Sequence, residues 1–294
     1  MKLSVIIACY NAEKTIGEQL EALANQEWEH PWEIVVVNNR CTDNSMQIVK
    51  QFEGKIKNLR VVDALERQGQ PYALNTGIMS SNGDFIVLCD ADDIVGDSYI
   101  KNLGDALQIH DFVVACIDLK KLNPFWGKLT HKSHQQTELP RLVYYPFFCH
   151  GGGCSLGFSR KVFEKIGDFS EELPYLHDTD FCVRAQFAGY KLHLDQNVVM
   201  HYRLRDSYRK IYAQQKGWCV YRVLLAKMYR NKTSRYNWIF HFFAHLASIA
   251  GLLKKIPMLR TREGRIQYIS HAAWFFGTAI GCIKYKSLPV YYSG

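Results

Sequence analysis

The 294-residue sequence predicts an α/β protein, a mostly parallel sheet with helices on both faces, followed by an all-helical amphipathic extension. Three observations lead there. Short apolar runs alternate with segments of helical period through the first 118 residues, the pattern of repeated βαβ units. One run, Phe85–Cys89, leads straight into Asp90-Ala91-Asp92-Asp93, and the carboxyl ends of strands are where open α/β sheets hold ligands. The charge is also divided: residues 1–202 carry 19 Lys/Arg against 26 Asp/Glu, and residues 203–294 carry 17 against 2, giving −7 and +15.

In order, strands are expected at Leu3–Ala8, Glu33–Val37, Leu59–Val62, Phe85–Cys89 and Phe112–Ile117, each a nearly continuous apolar run as strands buried on both faces require. Helical patterns fall between them near Thr15–Asn25, Asp43–Phe52, Pro71–Ser80 and Ser98–Ile109. Lys120–Cys149 lacks periodicity and holds three prolines, which suggests a long functional excursion. Beyond it come Gly151-Gly152-Gly153, helices at Arg160–Ile166 and Asp178–Gly189, and a strand near Val198–His201. Apolar residues make up 48%, ample for a core, and disorder is excluded as the default. Nine cysteines without paired spacing, several of them in strand-like runs, read as reduced, buried thiols of a cytosolic protein. Because Met1–Ile7 enters a strand at once, it does not read as a secretory signal.

The tail reads as helices only. Tyr236–Leu253 carries no formal charge, and Asn237, His241, His245 and Ser248 form one polar stripe along it. Gln267–Ile283 repeats the plan, with Gln267, His271 and Thr278 on one side and Ile269, Ala273, Phe276 and Ile280 on another. Lys254, Lys255, Arg260, Arg262 and Arg265 lie between the two. A polar stripe suits a helix lying in a membrane interface better than one spanning it, and the basic clusters suit anionic headgroups. Packing on the body, or a seam between two copies, is the alternative. Nucleic acid fits poorly, because the aromatics sit within the apolar faces and are not interleaved with the basic residues.

Extended geometry puts Asp90 and Asp92 on one face, about 7 Å apart, able to share one divalent cation, while Asp93 faces elsewhere. The second strand delivers Asn38-Asn39, whose amides both donate and accept and could read a base or ribose edge, before Thr42 or Asp43 caps a helix. Either motif alone also serves an ordinary turn. His177-Asp178-Thr179 could likewise be a simple helix start, and Asp180 with Arg184 forms an (i, i+4) support pair.

Taken together, these pieces resemble the family 2 glycosyltransferases, which have the Rossmann-like GT-A fold and transfer a sugar from a nucleotide-sugar donor. The matching motifs are Val5–Asn11, Glu33–Ser45, Ala73–Ile78, Asn82–Ile86 into Asp90–Asp93, Gly151–Cys154 with Phe163–Phe169, and His177–Arg184, so the likeness covers nearly all of residues 3–205. It implies a catalytic domain over 1–205, with 1–118 the nucleotide-binding half and 119–205 the acceptor-binding half, ahead of the basic extension 206–294. The donor would meet Ala8, Tyr10, Asn11, Asn38, Asn39, Arg67, Asn75, Asp90 and Ala91. Asp90 and Asp92 would hold Mg²⁺ or Mn²⁺, with His201 a third ligand, or else a satisfied strand-end residue. Asp178 would be the general base of an inverting displacement, with Gly151, Gly152, Gly153 and His177 at the acceptor, a glycan or lipid-linked glycan.

Two departures stand out. The family commonly has paired acids where this chain has Asn38-Asn39, and Glu where it has His177. The expected setting is the cytoplasm, peripheral on the inner face of the plasma membrane, with oligomerisation open. A nucleotidyltransferase of similar fold would want a Gly-rich basic loop where Ala8-Cys9-Tyr10-Asn11 stands. A silent membrane-recruiting module would not need Asp90, Asp92 and Asp178.

Overall fold

The structure is a computed structural model that describes residues 1–123, 136–142, 145–229 and 238–288. Part of the Lys120–Cys149 excursion, Asn237 and the His241 side chain fall outside the described residues. The chain divides into two compact units, one of Met1–Leu122, Ser133–Pro140 and Phe148–Arg203, the other of Asn123–Lys132, Arg141–Phe147 and Leu204–Gly294.

The first unit is a mixed α/β body. Its strands are β1 (Leu3–Cys9), β2 (Trp32–Asn38), β3 (Leu59–Asp63), β4 (Phe85–Asp90), β5 (Ile94–Val95) and β6 (Phe112–Asp118). After a small ladder of β7 (Arg141–Leu142) and β8 (Tyr145–Cys149) come β9 (Leu156–Ser159) and β10 (His193–His201). Eight of them form one sheet in the order β3-β2-β1-β4-β9-β6-β10-β5. The first four run parallel, β9 is antiparallel to both β4 and β6, and β10 returns parallel to β6. Helices α1 (Ile16–Ala24), α2 (Ser45–Glu53), α3 (Gln70–Ser80), α4 (Tyr99–Leu107), α5 (Arg160–Ile166) and α6 (His177–Phe187) complete the unit.

The expected strands and helices are therefore present, with ends moved by a few residues. Besides the β7–β8 ladder within the aperiodic excursion, two strands of the main sheet escaped the pattern. β9 is four residues with Gly157 inside it, and β5 is two residues, both too short to carry a period. The sheet is buried on both faces by two apolar clusters. Leu3, Val5, Ile7, Ile34 and Val36 point into one, Ile6, Val35 and Val37 into the other, as period-2 geometry requires.

The amino-terminal edge of the sheet is tied by Glu33. Its carboxylate accepts from Ser4 Oγ (2.8 Å), the Asn82 N–H (2.9 Å) and Arg60 Nε (3.1 Å), with Lys2 Nζ at 3.2 Å. Burial alone would raise its pKa, but these donors outweigh that and hold the carboxyl down at about 2.

The second unit takes in β7 and the start of β8, and its described part from Leu204 onward is helical: α7 (Tyr208–Tyr229), α8 (Trp238–Lys254) and α9 (Arg262–Tyr285). Ala273, Gly277 and Gly281, four apart, let α9 approach α7 closely. A Cβ on Gly277 would stand 2.7 Å from the Lys216 carbonyl, and one on Gly281 2.7 Å from that of Val220. No described helix is long and apolar enough to cross a membrane.

Candidate active site

The acid run leaves the sheet sooner than its pattern suggests. β4 ends at Asp90 and residues 91–93 turn, so Asp92 is not on the strand and the alternation that would send Asp93 elsewhere does not operate. That expectation is corrected: Asp93 is fully buried, and its carboxylate lies with Asp90 and the Cys154 thiol, their candidate ligand atoms all within 4.8 Å of one another. Burial first, then the charges of Asp90 and Asp92, push Asp93 well above the usual carboxylate range. The Arg203 N–H (2.8 Å to Oδ1) and the Cys154 thiol oppose the shift only in part, and Asp93 Oδ2 is buried with no hydrogen-bond partner among the described residues. Burial first, then the charges of Asp93 and Asp90, raise Cys154, which favours a protonated thiol that donates to Asp93.

Neighbouring side chains fix this turn. Gln70 Nε2 donates to Asp90 Oδ1 (2.9 Å), and Gln19 holds the Asp90 carbonyl (3.3 Å) with one end and the Val95 N–H (2.9 Å) with the other. Arg203 Nε donates to the Asp92 carbonyl (2.8 Å), and the same guanidinium pairs with Glu18. Arg203 therefore clamps the acid turn, a task that its place before the basic tail did not reveal.

The loop before β9 joins the acids to Asp178. Gly153 N–H donates to Asp178 Oδ2 (2.8 Å) at the start of α6, while the next residue is Cys154 beside Asp93. Asp178 Oδ1 accepts from the Thr179 N–H (2.7 Å). Gly151 is a glycine for packing, since a Cβ would stand 2.6 Å from Val114 and 2.8 Å from Leu156; none of Gly151, Gly152 and Gly153 takes a positive φ. His177 is buried, edge-on to Phe169 at 5.9 Å, and burial lowers its pKa toward the neutral imidazole. Asp180 and Arg184 form the expected pair at 2.8 Å, and the guanidinium also binds the carbonyls of Ile166 and Asp168.

The register aligns Ala8 with Asp90 and Cys9 with Asn38 along the carboxyl edge. Tyr10 is half exposed, and Asn11, at φ 48°, accepts from the Thr42 N–H at 2.8 Å. Asn38 bonds Asp63 (2.8 Å) and the Cys41 N–H (3.1 Å). Asn39 is buried, donating to the Ala64 and Arg67 carbonyls and accepting from the Gly69 N–H, all at 2.8 Å. Both of its amide protons are engaged, so it shapes the 64–69 loop. Asn75 likewise pairs both ways with the Phe169 backbone at 2.9 Å. Arg67 is exposed, ion-paired with Glu171 (3.2 Å) and stacked over Tyr72.

His201 does not join the acid group. Its Nδ1 lies 2.8 Å from Asp118 Oδ2, and burial, which would raise Asp118, is outweighed by His201 and the N–H groups of Lys120 and Lys121, holding that carboxyl below its usual range. Asp118 faces His201 across the β6–β10 register, a partnership that needs the strand pairing to be seen.

An α/β sheet with acids at the carboxyl end of a central strand and a buried loop carrying them to a helix-start aspartate defines a nucleotide-sugar glycosyltransferase. Residues 4–167 match the family described as Glycosyl transferase family 2, and the chain belongs to that family. A Methanococcus voltae dolichyl N-acetyl-alpha-D-glucosaminyl phosphate 3-beta-D-2,3-diacetamido-2,3-dideoxy-beta-D-glucuronosyltransferase is 26% identical over 85% of this chain and 82% of its own. The Staphylococcus aureus poly(ribitol-phosphate) beta-N-acetylglucosaminyltransferase TarS is 34% identical over 42% of this chain and only 22% of its own length. Among solved structures, a Pyrobaculum calidifontis mannosyltransferase, PcManGT, in complex with GDP-Man and Mn²⁺ superposes with a TM-score of 0.67 at 19% identity, covering 96% of this chain and 87% of that one. That likeness, of GT-A type, shows the fold.

Proposed function

We propose that this glycosyltransferase moves a sugar from a nucleoside-diphosphate sugar to an acceptor hydroxyl with inversion, using Mg²⁺ or Mn²⁺. The observation that carries the metal is Asp93: a fully buried carboxylate beside two more acids, with one oxygen unpartnered among the described residues and its pKa pushed up, is an arrangement that a cation would relieve. The donor set fits a hard cation, since it is carboxylate oxygen with a protonated thiol. Asp90 and Asp92 would hold it with Asp93 behind them; His201, paired with Asp118 outside the group of Asp90, Asp93 and Cys154, would become a further ligand only by moving toward it. When bound, the cation neutralises charge on the departing diphosphate. The PcManGT complex with GDP-Man and Mn²⁺ supports this reading by fold.

Asp178 takes the acceptor proton in the same reading. Gly153 and Thr179 orient its carboxylate, and a base on the face opposite the leaving group gives a single inverting displacement. Ala8, Tyr10, Asn11, Asn38, Arg67 and Ala91 border the donor, while Asn39 and Asn75 shape its walls. Gly151, Gly152, Gly153 and His177 border the acceptor. A glycan or lipid-linked glycan is the proposed acceptor, with the protein at the cytoplasmic face of the membrane; the M. voltae relative, named for a dolichyl-phosphate substrate, supports that class. Thermal melting with a panel of nucleoside-diphosphate sugars and Mn²⁺ tests the reading, because a cognate donor stabilises the fold by mass action. A melting point unmoved by any nucleotide in the presence of metal would overturn it.

A further inference from the structure

The helices of the second unit are turned inside out for a protein surrounded by water. The polar stripe of α8 faces its neighbour: His245 stacks on Phe275 at 4.7 Å and meets Trp274 edge-on, Ser248 is buried, and the Ser248 carbonyl lies 3.1 Å from His271 Nε2. The opposite side of α8 presents Phe243 and Leu253, each 63% exposed, with Leu246 and Ile249 between them. On α9 the small residues Ala273, Gly277 and Gly281 and the polar Thr278 are buried, while Phe276, Ile280 and Ile283 are exposed. A helix that packs its polar side inward and leaves a continuous apolar stripe outward is unfavourable in water unless another surface covers that stripe.

Charge says which surface. The joint between α8 and α9 exposes Leu253, Ile256 and Met258 among Lys254, Arg260, Arg262 and Arg265, and residues 203–294 carry +15 in all. Apolar side chains interspersed with cations match an anionic bilayer, where the former enter the acyl boundary and the latter meet headgroup phosphates. A soluble acidic partner would not need so long an apolar stripe. We propose that the outward stripe of α8, the joint and the exposed side of α9 form a surface that seats on anionic lipid without spanning it. This deepens the membrane part of the reading above and does not rest on the sugar-transfer part.

The test uses the whole chain and sedimentation with vesicles of phosphatidylcholine, alone or mixed with phosphatidylglycerol. Binding to the mixed vesicles should exceed binding to phosphatidylcholine by about tenfold or more and weaken in raised salt. Phe243→Asp with Leu253→Asp should reduce it about tenfold or more while the melting curve is kept, both positions being exposed. Wild-type protein that stays in the supernatant, or variant binding equal to wild type, overturns the proposal. So does a wild-type dimer that the variant splits without any vesicle binding, which would make the stripe a seam between copies. The nucleotide-dependent thermal shift reads the enzyme separately: it persists in the variant if only the surface is wrong, and is missing from the wild type if the donor reading is wrong.

Discussion

At the amino-terminal edge of the sheet Glu33 is surrounded by donors from Lys2, Ser4, Arg60 and Asn82, whereas at the carboxyl edge Asp90, Asp92 and Asp93 crowd one another. Each edge holds one buried carboxylate at the ends of parallel strands, yet Glu33 is driven down to about 2 and Asp93 is driven up. The first joins the starts of three strands. The second crowds three acids round the buried Asp93 carboxyl, which burial and its neighbours push toward the neutral form. Shape does not separate the two edges; the sign of the local potential does.

The largest expected effect lies at the carboxyl edge. Asp178→Asn should lower kcat by about 10²–10⁴ while the nucleotide-dependent thermal shift stays as it was. Turnover within a few-fold of wild type would remove Asp178 as the base. At the other edge, Glu33→Gln should cost about 3 kcal/mol near pH 7, the worth of a shift from 4.5 to about 2. Because the folded pKa is depressed, that stability is present above about 4.5 and is lost as pH falls toward 2. Urea unfolding of the pair across that window should show the gap closing. A gap constant with pH would mean that packing, and not charge, is responsible.

Asp118→Asn should weaken Mn²⁺ binding about 10–100-fold by calorimetry, since the imidazole would lose the partner that orients it. Unchanged affinity would leave His201 out of the metal site. The smallest effect is the sharpest test of the comparison. Asp93→Asn should stabilise the ligand-free protein by about 1 kcal/mol while reducing the stabilisation by Mn²⁺, the trade expected where function keeps a site strained. Destabilisation in the absence of metal would make the two edges alike.

Much of the body was legible in advance. β1, β2, β3, β4 and β6 are long apolar runs whose burial on both faces leaves a local trace, and Arg160–Ile166 is helical over the span its pattern predicts. Around the acid turn, pattern singled out Asp90, Asp92 and Asp178, but not that Cys154 lies beside Asp93, that Arg203 clamps the turn or that Asp118 pairs with His201. Each of these three acts through a partner far along the chain, across the β9 insertion, from the end of β10, or across the β6–β10 register. Asn39 and Asn75 showed the reverse. Their residue type suited ligand recognition, and only the fold showed their amides engaged with backbone.

The sequence by itself determined the alternation of strands and helices, the acid run at a strand's end, the charge division and the presence of polar stripes in the tail. These are set by period, propensity and count, which neighbouring residues decide among themselves. Tertiary structure alone decided that Asp93 turns inward, that β9 enters between β4 and β6 to bring Gly153 and Cys154 to the acids and Asp178, and that the stripe of α8 faces α9. Periodicity states which side chains share a face. It does not say what that face will meet, because that depends on residues tens of positions away and on the free energy of burying them together.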